Sequence, residues 1–327
     1  MIVNPAAGRN RPVLSILNDV FLPADIDWDV SITRPNASTR DLALRALDRG
    51  IDALAVYGGD GTIMDVAAAL LGSETPLVIL PGGTANALAV SLNIPTGLGE
   101  AAALLTSGDG WVRAIDIGEV NGRHFLVAVG LGIPGAWAAA ADREEKDRYG
   151  TLAYLARSLQ ALGQAKPSDY RLMLDGAEVV SSGVTCIIAN SGGFGLPGIH
   201  LAPTIHVDDG LLDVIIIRDT DIVSIVSLAA SVLQREDAAR TPPRPTAAFE
   251  ADVGPHRRDA TPAPLQHWQT REVYLVADPP QAVQADGEVL DPGPITARVH
   301  HHGVRVLVPA PRRPPEAWPI GRPGLPI

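Results

Sequence analysis

The stretch VYGGDGTIMD, Val56 to Asp65, puts three glycines and two acids between an apolar run and a helix-like segment. Gly58, Gly59 and Gly61 would let the backbone approach a phosphate closely and adopt positive φ. Amides at the start of the following helix would then point at anionic oxygens. Asp60 is repelled by a bare phosphate, but it makes sense if a Mg2+ bridges the two. No GKS or GKT follows, which excludes a Walker A loop. A tight structural turn is the competing reading.

The arrangement recurs in LPGGTANALA, Leu80 to Ala89, where Gly82, Gly83, Thr84 and Asn86 lead into another helical pattern. Asn4-Pro5-Ala6-Ala7-Gly8 follows the first apolar run. Arg9 and Arg11 come after it and either hold phosphate or solvate a helix start. Adjacent strand ends of an α/β sheet share one crevice, and three such loops are hard to explain as turns alone.

Other motifs carry less. Gly130 to Gly135 and Gly193 to Gly198 match G-x-G-x-x-G, but each has proline where a helix should be starting. They read as turns or as backbone near a ligand. Asp286-Gly287 lies between alternating arms and is a two-residue hairpin signal; Glu288 beside it is a candidate base if part-buried. Asp208-Asp209-Gly210 reads as a turn. Neighbouring residues on a strand point to opposite faces, so His300, His301 and His302 are not expected to converge on one ion. An exposed turn is the favoured reading there. Cys186, the sole cysteine, sits in VTCIIAN as a buried, inert thiol.

The elements that would position these residues change character along the chain. MIVN, WDVSIT, DALAVYGG and PLVILPGG read as strands. PVLSILNDVF, STRDLALRALDRG, Thr62 to about Leu71, and TANALAVSL read as the helices between them. Ser38 or Thr39 would cap the second helix and Gly50 would end it. That alternation implies a doubly wound α/β domain with a parallel sheet. After about Arg113 the strand-like pieces are IDIGEV, HFLVAVGLG, YRLMLDG, EVVSSGVTCIIAN, LLDVIIIR, REVYLVAD, QAVQADGEVL and GVRVLVP. Only GTLAYLARSLQALG and DIVSIVSLAASVLQ interrupt them as helices, so a mostly antiparallel β domain is expected. Residues 236–267 are Pro-rich and read as a loop or insertion, and the tail from Pro309 as irregular.

The 327 residues suffice for two domains, and 46% hydrophobic against 19% charged residues argues for packed cores. A net charge of −11 argues against a general nucleic-acid binder. One cysteine allows no internal disulfide, which fits a reducing cytosol. MIVNPAAG has no basic leader followed by an apolar stretch, and Ile222 to Leu233 is too short to span a bilayer. Any membrane contact is expected from the cytoplasmic surface, without a transmembrane segment. The sequence leaves the oligomeric state open, a homodimer included.

In order, VNPAAG, GGDGTIMDV, LPGGTANALA, RYGTLAYL, LAPTIHVDDGLLDVIII and ADGE make the chain resemble the diacylglycerol kinase catalytic-domain family of bacterial lipid kinases, related to sphingosine and ceramide kinases. GGDGT alone is shared with NAD kinases; its combination with the later blocks is far more specific. The resemblance implies an N-terminal α/β nucleotide-binding domain, residues 1–113, joined by a strand near 303–309. It implies a C-terminal β-sandwich lipid-substrate domain over 114–302. It further implies transfer of the γ-phosphoryl group of Mg-ATP to a hydroxyl of diacylglycerol or a related lipid at the membrane surface. By similarity, ATP contacts fall on Asn4, Pro5, Ala6, Ala7, Gly8, Thr33, Gly59, Asp60, Gly61, Thr62, Ile63, Met64, Asp65, Thr84 and Asn86. Asp60 would organise the catalytic Mg2+ and Glu288 would be the general base. A structural Mg2+ would sit on Asp209 and the carbonyls of His206 and Leu211. Ala7 stands where many relatives have serine, and GLGIPGAW lacks an acid common after GxGF. The alternatives are an NAD kinase-like phosphotransferase and a non-catalytic lipid- or nucleotide-binding protein on the same scaffold.

Overall fold

Leu54–Gly58 (β3) and Leu77–Pro81 (β4) contain no charged residue and are buried at every position. A strand covered on both faces has no polar side to show, so these runs do not alternate. The computed structural model describes residues 1–8, 11–35, 37–83, 86–132, 166–192, 205–218 and 265–311. Arg9, Thr84, both long helical patterns of the second half, Gly193 to Gly198 and most of the Pro-rich segment lie outside the described residues.

Ile2–Val3 (β1) and Ser31–Ile32 (β2) join β3 and β4 in a parallel array ordered β2-β1-β3-β4. Because all four run the same way, their carboxyl ends share one edge. The order reverses at β1, which has β2 on one side and β3 on the other; α/β sheets open a crevice at such a point. Val13–Phe21 (α1) packs on Leu98–Ala103 (α5), and Thr39–Leu47 (α2) on Asp60–Ala69 (α3). The Ser38 hydroxyl caps α2 by accepting from the Asp41 amide at 3.1 Å, and Gly50 follows the helix at φ +71°.

Some boundaries differ from the sequence expectation. α3 begins at Asp60, two residues early, because Gly59 in extended conformation is its N-cap. Ala87–Ser91 (α4) begins only after Asn86, which is left-handed at φ +48°. α5 was not legible because six residues are too few to show a helical period. The loop expected over 236–267 ends sooner, since Leu265–Thr270 (β12) is a strand.

The second half is antiparallel. Gly110–Val120 (β5), Arg123–Phe125 (β6), Ala128–Leu131 (β7), Ser168–Leu174 (β8), Ala177–Gly183 (β9), Thr185–Ala189 (β10) and Leu212–Ile217 (β11) precede β12. Glu272–Asp278 (β13), Val283–Ala285 (β14), Glu288–Leu290 (β15) and Ile295–Pro309 (β16) complete it. A six-stranded sheet runs β12-β11-β10-β7-β14-β15. β8 and β13 alternate buried and exposed, as one-sided strands must. Their inward residues Tyr170, Leu172, Val273 and Leu275 share a core with Val129, Cys186, Ile188 and Val214 of the six-stranded sheet. This is a β-sandwich, and burial raises the Cys186 thiol pKa far out of the reactive range.

β16 links the two halves. One of its edges pairs antiparallel with β5 along nearly its whole length. The other pairs with β13 near Ile295 and in parallel with β4 at Val306. The histidine run lies inside this strand, not in a turn between elements. Register against β5 shifts between His300 and Val304, and His302 sits at φ +51°. That bulge breaks the strict alternation on which the sequence expectation for the histidines rested.

Candidate active site

The loops after β1, β3 and β4 meet at the carboxyl edge. Asn4 joins two of them: its Nδ2 donates to Thr62 Oγ1 at 2.9 Å, and its Oδ1 accepts from the Ala6 amide at 3.0 Å. Asn86 closes the third loop on itself, accepting from the Gly83 amide and donating to the Gly83 carbonyl, both at 2.9 Å. Gly8 is left-handed at φ +57°, and a Cβ there would lie 1.8 Å from the Tyr57 hydroxyl. A Cβ on Gly83 would lie 2.7 Å from the Gly59 Cα, so those two loops touch backbone to backbone. The Tyr57 hydroxyl is buried with no hydrogen-bond partner among the described residues. Thr33 lies at the end of β2 on this edge, its amide donating to the Val3 carbonyl. Pro5 and Ala6 are exposed, whereas the Ala7 side chain is buried. Ile63 is fully buried in the core, so only its backbone could face a ligand.

Gly61, Met64, Asp65 and Ala68 recur at helical spacing and form one face of α3. That face lines a cleft of about 250 Å³ together with Glu288, Asp286, Leu290, Arg40, Arg123 and His124. Asp286 and Gly287 both have positive φ, 46° and 91°, which makes the tight two-residue turn between β14 and β15. The Asp286 carboxylate accepts three amides: Leu126 at 2.6 Å on Oδ2, and Val127 at 3.0 Å and Ala128 at 2.9 Å on Oδ1. The hairpin is thereby pinned to the β6–β7 connection. Glu288 faces the cleft, with Oε2 3.3 Å from Arg123 Nη1 and a side chain 64% exposed.

Asp65 and Asp286, which line this cleft, and Asp60 next to its wall at Gly61 hold their protons more tightly than usual. Burial raises the Asp60 pKa, and the amides of Ala87, Leu88 and Asn86 partly offset it. Its Oδ1 is buried with no hydrogen-bond partner among the described residues. Burial, then the charge of Glu288, raises Asp65, while the Thr39 hydroxyl and Arg40 pull it down. Burial pushes Asp286 up to about 6 against its three amides, and Asp60 adds repulsion. A site with several raised carboxylates and an orphaned buried oxygen suits a divalent cation. Asp60 therefore offers an oxygen that a Mg2+ could take.

The second expected cation site is more mixed. His206 and Asp209 are exposed on the turn before β11, and Asp209 Oδ1 accepts from the Leu211 amide at 3.0 Å. Burial and the charges of Asp213 and Asp116 raise the Asp209 pKa, and Asp213 Oδ2 is a buried oxygen without a partner among the described residues. That surplus of carboxylate fits a hard cation beside Asp209.

Residues 1–120 match the family described as diacylglycerol kinase catalytic domain, and residues 127–237 match the YegS C-terminal NAD kinase beta sandwich-like domain. Together these cover well over half of the chain. Residues 1–120 belong to the diacylglycerol kinase catalytic-domain family. A diacylglycerol kinase of Bacillus subtilis (strain 168) is 29% identical over 249 residues, 72% of this chain and 78% of the relative. A diacylglycerol kinase of Mycobacterium tuberculosis (strain H37Rv) is 30% identical over 203 residues, 60% of this chain. The match spans 64% of that relative, just under two thirds of its length. A crystal structure described as a diacylglycerol kinase from Bacillus anthracis str. Sterne shares the fold, with a TM-score of 0.70 at 23% identity over 94% of this chain and 95% of that one.

For this family member, sequence reasoning found Asp60, Asp65 and Glu288 but missed the lining residues Arg40, Arg123 and His124. Nothing local marks them, because Arg40 reaches the cleft through the packing of α2 on α3, and Arg123 and His124 through that of α3 against β6. Asp286 was read only as a turn residue. Its signal was the same DGE triplet that drew attention to Glu288.

Proposed function

We propose that the chain is an ATP-dependent lipid kinase that moves the γ-phosphoryl group of ATP to a hydroxyl of diacylglycerol or a related lipid. The observation that carries this reading is that the GGDGT helix face and the DGE hairpin line one cleft. A phosphate loop and a carboxylate base would have to meet in that way. A non-catalytic scaffold has no need to bring Glu288 opposite Gly61 and Asp65.

In this reading residues 1–113, with the strand near 303–309, bind the nucleotide, and 114–302 receive the lipid. The loops of Asn4–Gly8, Gly59–Asp65 and Gly82–Asn86 surround the phosphates with amides. Asp60 holds Mg2+, which when bound offsets the charge of the phosphates. Glu288 takes the proton of the acceptor hydroxyl as that oxygen attacks phosphorus and ADP departs. Arg123 keeps the Glu288 carboxylate turned to the cleft, and Asp286 fixes the hairpin beneath it. Met64, Ala68 and Leu290 give the cleft an apolar wall for the lipid. Among the described residues no helix is long and apolar enough to cross a membrane. The proposed contact with the lipid is peripheral, at the cytoplasmic face.

The test is ADP release from Mg-ATP against a panel of lipid alcohols in mixed micelles, with NAD as a control acceptor. Lipid-dependent turnover that disappears in the Asp60→Ala/Glu288→Gln variant is expected. Turnover that survives both changes, or turnover only with NAD, would overturn the assignment.

A further inference from the structure

Asp116 lies on β5 and is fully buried, yet among the described residues no lysine or arginine pairs with it. Its Oδ2 accepts the Gly210 amide at 2.7 Å. Its Oδ1 accepts the His302 amide at 2.7 Å and lies 2.9 Å from His301 Nδ1. A buried carboxylate normally requires a compensating positive charge. The β16 bulge places two imidazoles there. His301 and His302 stack with ring centroids 3.7 Å apart and an interplanar angle of 28°. One ligand atom from each of Asp116, His301 and His302 lies within 4.8 Å of the others.

We propose that Asp116, His301 and His302 form a binding site for a divalent transition metal, with zinc the best chemical match. Two imidazoles and one carboxylate suit zinc and its neighbours, whereas magnesium and calcium prefer oxygen alone. Zinc binds three such ligands at about 2.0–2.2 Å and leaves a fourth position for water. The ligands must draw in from their present spacing, which exposed histidine side chains on a bulge can do. The His301 side chain is 51% exposed, so the ion enters from solvent without opening the core. Coordination by Nδ1 requires the tautomer with hydrogen on Nε2. The left-handed backbone at His302 is unfavourable for a residue with a Cβ, and here it brings the second imidazole to the carboxylate.

A second cluster sharpens the assignment by contrast. Glu119, His124 and His300 also group their ligand atoms within 4.8 Å. There, however, Arg298 donates three hydrogen bonds to Glu119, at 2.8, 3.1 and 3.2 Å. A cation at that carboxylate would have to displace a guanidinium, whereas at Asp116 no lysine or arginine stands among the described residues.

The site also has a structural reach. Asp116 holds the Gly210 amide with one oxygen, and a Cβ on Gly210 would lie 2.9 Å from His301 Nδ1. A metal at this point would fasten β5 and β16 to the turn that carries Asp209. Its two imidazoles set it apart from the all-oxygen surroundings of Asp209, so the two cations are distinguishable by type.

The experiment uses the full chain, stripped with EDTA and titrated with zinc chloride against a chromogenic chelator in excess Mg2+. Uptake of a single zinc per chain is expected in the unaltered protein and in His300→Gln. His301→Gln/His302→Gln is expected to lose about 100-fold or more in zinc affinity, the scale at which even outer partners of a metal matter. X-ray absorption on the zinc-loaded, unaltered protein should show two imidazole ligands, which keeps the test independent of how the variants fold. No zinc uptake by the unaltered protein would overturn the proposal. So would undiminished affinity in the double variant, a loss in His300→Gln equal to that in the double variant, or a spectrum with fewer than two imidazoles.

Discussion

The two acid-bearing segments at the cleft solve a similar problem in opposite ways. GGDGTIMD sets its acids on a helix, with Asp60 turned in and Asp65 on the cleft face. ADGE sets its acids on a hairpin, with Asp286 turned in and Glu288 on the cleft face. Each inward acid is met by backbone amides from another element: the start of α4 for Asp60, and the β6–β7 connection for Asp286. Asp286 has both oxygens engaged, while Asp60 keeps Oδ1 without a partner among the described residues. Of these two carboxylates, Asp60 has the oxygen still open to a ligand. Asp286 positions; Asp60 can bind.

Asp60→Ala should break that distinction most visibly. Losing the charge proposed to hold the cation should lower kcat by roughly 10⁴-fold, since such an ion supplies several kcal/mol. Steady-state kinetics with the best lipid would show it, and a loss under tenfold would contradict the assignment. Glu288→Gln should lower kcat by roughly 10²-fold, near the low end of general-base effects because the side chain is largely exposed. Its KM for ATP should stay close to that of the unaltered protein; a rise in KM alone would make Glu288 a binding residue.

Asp286→Ala strips three amides of their acceptor and should destabilise the fold by about 3 kcal/mol in urea titration. Asp286→Asn keeps an acceptor oxygen and should lose less. Near-equal losses would show that the amides do not depend on the carboxyl oxygen. Asp286 also makes a prediction about pH in cation-free buffer. Its folded pKa of about 6 lies above the ordinary value of 3.8, so between those limits the folded state binds more protons than the unfolded one. Stability from this group is therefore present below about pH 4 and is lost as pH rises through about 6, by about 3 kcal/mol. The difference between the unaltered protein and Asp286→Asn should follow that slope, and a pH-independent difference would refute it. The smallest effect is expected of Arg123→Gln. The Arg123–Glu288 pair has side chains 63% and 64% exposed, so its loss should change stability by no more than about 0.5 kcal/mol.

The same two segments show what could be read from the sequence. The GGDGT loop was legible because glycine, acid and helix start are adjacent in the chain and their chemistry is local. The parallel array was legible because β3 and β4 are uninterrupted apolar runs bounded by turns. Arg40 and His124 were not legible, since their place at the cleft depends on packing between distant elements. The histidine run was legible only in part: its three residues do not share one cluster, but the turn expected there is a bulge inside β16. Alternation is a property of regular strands, and the bulge between His300 and Val304 follows from pairing with β5, far away in sequence. Short elements such as α5 were lost because a period needs length.

β16 also sets an order on synthesis. The β4 side of the parallel array and the β13 side of the sandwich both wait for partners that lie in residues 295–309. A nascent chain can form the β3–β4 pair early, but its sheet keeps an open edge until this late strand emerges from the ribosome. Contacts so far apart in sequence close slowly. Ribosome-bound chains halted before Ile295 should therefore be captured by chaperones, and release should follow translation of a single strand.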